Sequence, residues 1–286
     1  MKRLFLLFTA VLFFYTSQTL PQSSISFIKK GKGRPVIFLP GLGCKGSVWD
    51  SAVNKLSAGY CCYEISYAGF AGMPPDGTFK IDRIIKDIIK FINQQKLQHP
   101  VLIGHSLSGF IALKAAAENP DVFSKLIIVD SFPFALAVYS PAITVEKAKQ
   151  QGKIYEDMIL KQNDEEFKKS ERAMLSGLIS GEKDIDTVLN WMMLSDRNAI
   201  AAATYEMIST DLRPELKKIK CSALIIGTWK GKEQLGFNKV TTPKIFAAQY
   251  ENLKNKSIAV SDDSKHFIML DAPEWLNSQI TRFLSE

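Results

Sequence analysis

The stretch VLIGHSLSGFIALKAAA, residues 101–117, decides the fold. A short apolar run leads into Gly104-His105-Ser106-Leu107-Ser108-Gly109 and then into an Ala-rich segment. The run suits a buried strand, and the Ala and Leu that follow suit a helix. A sharp strand-to-helix turn must join them, with Ser106 at its centre. A serine hydroxyl is a weak nucleophile and works when held out beside a base. A tight turn holds it out, and the helix N-terminus below it favours negative charge. Small flanking residues are needed because strand and helix pack closely at such a turn. The plain alternative is a Ser-rich turn with no chemistry.

Outward from this stretch, short apolar runs alternate with amphipathic ones. Strands are predicted at residues 24–29, 36–39, 61–67, 101–104, 126–130, 223–227 and 256–260. Helices are predicted near residues 47–57, 81–94, 107–118, 243–253 and 273–284. Unbroken runs such as LIIV and ALII suit a sheet buried on both faces. Strands alternating with helices imply an α/β fold with a mostly parallel central sheet flanked by helices. The alternation breaks at about residues 132–213, which read as a helical cap inserted on the sheet. Five of the eight Met residues lie there: Met158, Met174, Met192, Met193 and Met207. They read as core filler, with the lining of a pliable apolar acyl pocket as the alternative.

A second glycine motif competes. GLGCKG, residues 41–46, follows the run VIFLP and matches the dinucleotide fingerprint GxGxxG, with Glu64 about twenty residues further on. That signal is weak. Glu64 sits inside its strand rather than at the strand's end, and Pro40 interrupts the turn.

A nucleophile needs a base, and the chain has three His residues. His105 adjoins Ser106, so its ring points away into the structure. His99 precedes Pro100 at the opposite end of the strand. His266 follows the last predicted strand, where a loop reaches the sheet's C-terminal edge. No two His share a helix face, so no metal site is expected. The four Cys residues, Cys44, Cys61, Cys62 and Cys221, lack framework spacing and read as buried free thiols.

Length and charge narrow the classes. The 286 residues suit one or two domains. Net charge is +7, with 36 basic and 29 acidic residues. Lys alternates with Asp and Glu throughout, and no basic stripe with interleaved aromatics appears, so no nucleic-acid partner is expected. Lys2 and Arg3 precede an apolar run over residues 4–15. That run is too short to span a bilayer comfortably and fits a secretory signal peptide over residues 1–20. The expectation is a mature domain at residues 21–286, periplasmic or secreted, with no stable membrane insertion after processing. An uncleaved anchor is the alternative.

With these residues in place, the chain resembles the α/β-hydrolase superfamily, as a capped serine hydrolase or esterase-like member. The resemblance covers about residues 26–286. It rests on PGLG at 40–43, GHSLSG at 104–109, IIVDSFP at 127–133, DLRPELKKIKCSALIIG at 211–227 and KHFIMLDAPEWL at 265–276. It implies an oxyanion hole formed by the N–H groups of Leu42 and Leu107. It implies an acid to orient His266, and here the chain departs from the pattern. The loop after the penultimate strand carries Lys230 where many relatives carry Asp. Asp130, at the end of the strand after the nucleophile, is the first choice. Glu233 and Asp262 or Asp263 are the alternatives. Pro40 in place of a usual His, and Ser108 in place of a usual Gly, are further departures. The implied function is cleavage of a carboxylic ester or related acyl bond through an acyl-enzyme intermediate, with a small-molecule acyl substrate and no cofactor. The alternatives are a catalytically weak ligand-binding homologue and a nucleotide-dependent oxidoreductase.

Overall fold

The computed structural model describes residues 23–286, together with the backbone of a two-residue strand, Gln18–Thr19. Apart from that backbone, the expected signal segment, residues 1–20, lies outside the described residues.

Eight strands form one sheet in the order β1-β2-β4-β3-β5-β6-β7-β8. They are β1 (Gln18–Thr19), β2 (Ile25–Lys30), β3 (Arg34–Leu39), β4 (Tyr60–Tyr67), β5 (Val101–His105), β6 (Lys125–Val129), β7 (Ser222–Thr228) and β8 (Lys256–Ser261). β2 runs antiparallel to β1 and β4, and every other neighbouring pair is parallel. The seven strands read from the sequence are all present. β1 was missed, because its two residues were assigned to the signal segment.

Alternation of side chains along each strand splits the core into two layers. Leu102 and Ile128 face one layer; Val101, Ile103 and Val129 face the other. Adjacent Cys61 and Cys62 divide in the same way, so neighbouring thiols sit on opposite faces. All four thiols are free, three buried and Cys221 half-buried. Burial pushes the Cys44 and Cys62 thiols up to about 12 and Cys221 to about 11.

Helices α2 (Ile81–Gln94) and α3 (Leu107–Glu118) cover the first face, and α1 (Asp50–Leu56) covers the second. The predicted helix at 47–57 is divided, its first turn tightening to a 3-10 turn at Gly46–Trp49. Each fully buried Leu, Ile or Phe side chain contributes roughly 1.5–3 kcal/mol to this packing.

Between β6 and β7 the chain leaves the sheet as five helices: α4 (Leu136–Tyr139), α5 (Val145–Lys161), α6 (Asp164–Leu178), α7 (Glu182–Met193) and α8 (Arg197–Ser209). Side-chain caps mark three starts. Thr144 accepts from Lys147 N–H, Asp196 accepts from Ala199 N–H, and Asn163 forms a reciprocal capping box with Glu166. The chain ends with α9 (Thr241–Gln249), α10 (Ile268–Asp271) and α11 (Pro273–Ser285). α9 begins two residues before its predicted start, with Pro243 in its first turn, where a missing N–H costs nothing. No helix among the described residues is long and apolar enough to cross a membrane.

Parallel register prepares the site. Leu39 pairs with Gly104, His105 with Val129, Val129 with Ile226, and Thr228 with Ser261. The C-terminal ends of five strands therefore meet at one edge. The chain also reverses its direction of progress across the sheet at β3 and β5, the kind of crevice where open α/β sheets bind ligands.

Candidate active site

Ser106 stands between β5 and α3 with φ 53° and ψ −120°. A non-glycine residue pays roughly 1–3 kcal/mol for such a conformation. Three hydrogen bonds hold it: Ser106 N–H to Val129 O at 3.0 Å, Gly109 N–H to Ser106 O at 2.9 Å and Phe110 N–H to Ser106 O at 3.2 Å. Gly104 explains why the turn can be so tight. A Cβ there would lie 2.1 Å from the Ser108 carbonyl oxygen, so only glycine fits.

His266 lies in the loop after β8, and its Nδ1–H donates to Asp130 Oδ2 at 2.6 Å. That leaves Nε2 as the free lone pair. His105 fixes the same loop from beneath. Its ring is fully buried, packs edge-on against Phe267 with centroids 4.8 Å apart, and its Nε2–H donates to the His266 carbonyl at 3.1 Å. Burial holds the His105 imidazole well below its ordinary range, so it stays neutral and keeps this role. His99 is exposed and lies before β5, at the other end of the sheet.

Asp130 leaves β6 in a left-handed conformation, φ 44°. Its N–H continues the ladder to Ile226 O at 2.7 Å. The predicted strand over 126–130 thus ends one residue early, and this bend turns the carboxylate toward His266. Burial raises the carboxyl's pKa, but the Lys232 ammonium and the His266 hydrogen bond outweigh it and hold Asp130 below the usual carboxylate range. Thr228 N–H donates to Oδ1 at 3.3 Å. The other acids are placed elsewhere. Glu233 is exposed on a 3-10 turn, Glu233–Leu235, and its carboxylate forms no hydrogen bond among the described residues. Asp262 is engaged by Lys239 and by Trp229 Nε1–H at 3.2 Å, and Asp263 by Lys230 at 3.4 Å.

The Leu42 and Leu107 N–H groups donate to no acceptor among the described residues, and both residues lie beside Ser106. The two departures from the family pattern support this loop rather than weaken it. Ser108 Oγ–H donates to the Pro40 carbonyl and accepts from Tyr67 O–H at 2.8 Å. Trp49 Nε1–H donates to Leu39 O at 3.0 Å, which ties the residue just before.

The glycine loop is closed to a nucleotide. A Cβ on Gly43 would lie 2.0 Å from Met192 Sδ, so the insertion already fills the space above it. Glu64 is buried in mid-strand beside Asp50, not at a ribose position. Burial first, then Asp50, pushes its carboxyl up to about 8.

Ser106 and His266 line one cavity of about 450 Å³, walled on the other side by the helical insertion. Four of the five insertion Met residues, Met158, Met174, Met192 and Met207, line it. The core-filler reading is corrected for Met158 and Met174, which belong to no core cluster among the described residues; Met192 and Met207 pack in or against the core and line the cavity as well. Met193 alone packs only against the core. Helical spacing showed which side of a helix is apolar, but not that the insertion stands off the sheet and leaves a gap. Sequence reasoning missed two polar residues at this site. Lys232 lies in a KGKE loop that carries no motif. Glu171 was readable, because it interrupts the apolar spacing Phe167–Leu175 on α6.

The alpha/beta hydrolase family model matches residues 36–279. The chain belongs to the alpha/beta hydrolase family. It is thus an enzyme of the hydrolase class, and the predicted fold is borne out. Among curated relatives, a pimeloyl-[acyl-carrier protein] methyl ester esterase of Aliivibrio fischeri is 26% identical over 208 residues, 69% of this chain and 75% of that protein. Among solved structures, a hydrolase from Pseudomonas aeruginosa superposes with TM-score 0.75 at 14% identity, covering 95% of this chain and 98% of that one. A thermophilic esterase from Thermogutta terrifontis also gives 0.75, at 17% identity, covering 91% and 93%. At such identities the two structures speak for the fold alone.

Proposed function

We propose that this hydrolase cleaves a carboxylic ester or related acyl bond through an acyl-enzyme ester on Ser106. His266 Nε2 takes the Ser106 proton as the oxygen attacks the acyl carbon. The Leu42 and Leu107 amides receive the developing oxyanion, an arrangement in which one donor is typically worth about 2.7–4 kcal/mol of barrier. His266 then protonates the leaving group, and a water activated by the same imidazole hydrolyses the ester. Asp130 holds the tautomer that leaves Nε2 free. One observation carries this reading: a serine on a strained elbow shares a cavity with a histidine whose other nitrogen is bound to a buried carboxylate. The ester chemistry of the Aliivibrio fischeri relative supports it. Ser106→Ala should abolish ester hydrolysis and fluorophosphonate labelling while circular dichroism stays unchanged. Labelling that persists in the variant would move the nucleophile elsewhere.

Export to the periplasm or medium is part of the same proposal, supported by Lys2, Arg3 and the apolar run at 4–15. In a Gram-negative host the chain should lose about 17–22 N-terminal residues. Mass spectrometry finding an intact Met1 in the membrane fraction would favour the anchor instead.

A further inference from the structure

Helix α6 turns Phe167, Glu171 and Leu175 inward at intervals of four. Two of these positions are apolar and one is a carboxyl. Glu171 is only 8% exposed, and it lines the cavity that holds Ser106 and His266. Its Oε2 is buried without a hydrogen-bond partner among the described residues. The insertion gives this cavity three other polar side chains besides a tyrosine at its exposed rim, and all three are engaged. Gln162 Nε2–H donates to Ser170 Oγ at 3.2 Å, and Thr204 Oγ1–H donates to Ile200 O at 2.8 Å. Arg197, the cation whose field reaches Glu171, is committed elsewhere. Its guanidinium stacks on Phe167 at 3.7 Å and donates to Gln162 O at 3.0 Å and Asp164 Oδ1 at 2.9 Å.

A buried carboxyl without a partner is costly to keep in a folded chain. In the wall of a ligand cavity, the group that would satisfy it is on the ligand. We propose that Glu171 is a specificity residue whose carboxyl hydrogen-bonds a hydroxyl group on the substrate, so that esters of hydroxylated acyl chains are preferred over unsubstituted ones. This rests on reading the Ser106 cavity as the catalytic one.

The choice of hydroxyl follows from the surroundings. Burial pushes the Glu171 carboxyl up to about 7 against the pull of Arg197, so both protonation states are present near neutrality. A hydroxyl donates to the ionised form and accepts from the neutral form, and so pairs with either. An ammonium pairs only with the ionised form, and the positive Arg197 opposes it. The rest of the wall, including Met174, Leu175, Met207 and Ile208, suits the methylenes of an acyl chain.

The test uses p-nitrophenyl esters of hexanoic, octanoic and decanoic acid, each with and without a terminal hydroxyl. The wild type should prefer one of the hydroxylated esters by roughly tenfold or more in kcat/KM over its unsubstituted partner. Glu171→Leu should erase that preference, read as the ratio of kcat/KM within each pair of esters. Glu171→Gln, which still offers a donor and an acceptor, should keep most of it. A wild type without preference, or an equal loss on both esters in Glu171→Leu, overturns the proposal. Preference for a terminal amine over a hydroxyl does so too. Calorimetric binding of the free hydroxy acids and of their unsubstituted counterparts reads the same discrimination without turnover. Absence of Ser106-dependent hydrolysis would therefore sink the esterase reading alone.

Discussion

Lys232 Nζ sits 2.8 Å from Asp130 Oδ1 and 2.7 Å from Oδ2, on the carboxylate that also accepts the His266 Nδ1–H at 2.6 Å. The Asp130 side chain is fully buried and Lys232 is only 13% exposed. Such a pair is dearly desolvated, and removing one partner typically costs about 3–5 kcal/mol because the other charge is left uncompensated. The ammonium keeps Asp130 ionised and fixes the plane in which it meets the imidazole. Lys232 comes from the loop after β7, where many relatives place the acid itself. Here that loop supplies a counter-charge to Asp130, the residue just after β6 to which the proposed mechanism gives the acid's role.

Lys232→Met should weaken the fold most near neutral pH and least at low pH. The Asp130 pKa is depressed in the folded state, so its stabilising contribution is present above the ordinary carboxylate value, about 3.9, and lost as pH falls through the folded one. Without Lys232 the depression shrinks, so the variant is weakened near neutrality and the two proteins converge as pH falls below the ordinary carboxylate value. Melting temperature followed from about pH 3 to about pH 8 reads this convergence. A difference in melting temperature that does not narrow towards acid pH would show that Lys232 contributes nothing to the carboxylate.

Asp130→Asn leaves the Lys232 ammonium uncompensated and so should lower the melting temperature. In the fraction still folded it should lower kcat/KM by about four orders of magnitude, because an amide favours the wrong imidazole tautomer. Glu233→Gln should cost little, since that carboxylate is exposed and unpaired among the described residues. Steady-state kinetics on both variants decide between the two acids. A large loss confined to Glu233→Gln would reverse the assignment.

Ser108→Ala removes the hydroxyl that joins Tyr67 to the Pro40 carbonyl. Leaving the buried Tyr67 O–H unpaired should destabilise the protein by about 1–3 kcal/mol. The loop that carries Leu42 also loses a tether, so kcat should fall about tenfold with KM little changed, as expected when an oxyanion donor is displaced rather than deleted. Denaturant melts and initial rates on one ester test both halves. Full activity in a destabilised variant would separate the tether from catalysis.

Glu64→Gln should change stability at the alkaline side. The folded protein keeps the Glu64 proton up to about 8, whereas the unfolded chain gives it up near the ordinary carboxylate value. Wild-type stability therefore falls as pH rises across that window. The variant has no proton to lose, so its melting temperature should exceed the wild type's above pH 8 by about 2–4 °C and follow a flatter curve. Parallel curves for the two proteins would mean that Glu64 is hydrated after all.

Much of this molecule is written in short-range pattern. The runs at 101–104 and 126–129 are apolar without interruption, and a strand buried on both faces needs that. Gly104, Ser106 and the Ala-rich helix after them specify the elbow within a few residues, because the steric demand of the turn is itself local. The three His residues sort by their place relative to strand ends, which sequence order reveals. Choosing among Asp130, Glu233, Asp262 and Asp263 needed more. The pairs that define the site, His266 with Asp130 and Lys232 with Asp130, join residues 136 and 102 positions apart. No periodicity reaches that far. Parallel register gathers the strand ends at one edge, and the left-handed backbone at Asp130 aims the acid. Whether Glu171 and the four Met residues face a void or a neighbour depended likewise on how far the insertion stands from the sheet, a distance set by packing between elements and carried by no single segment.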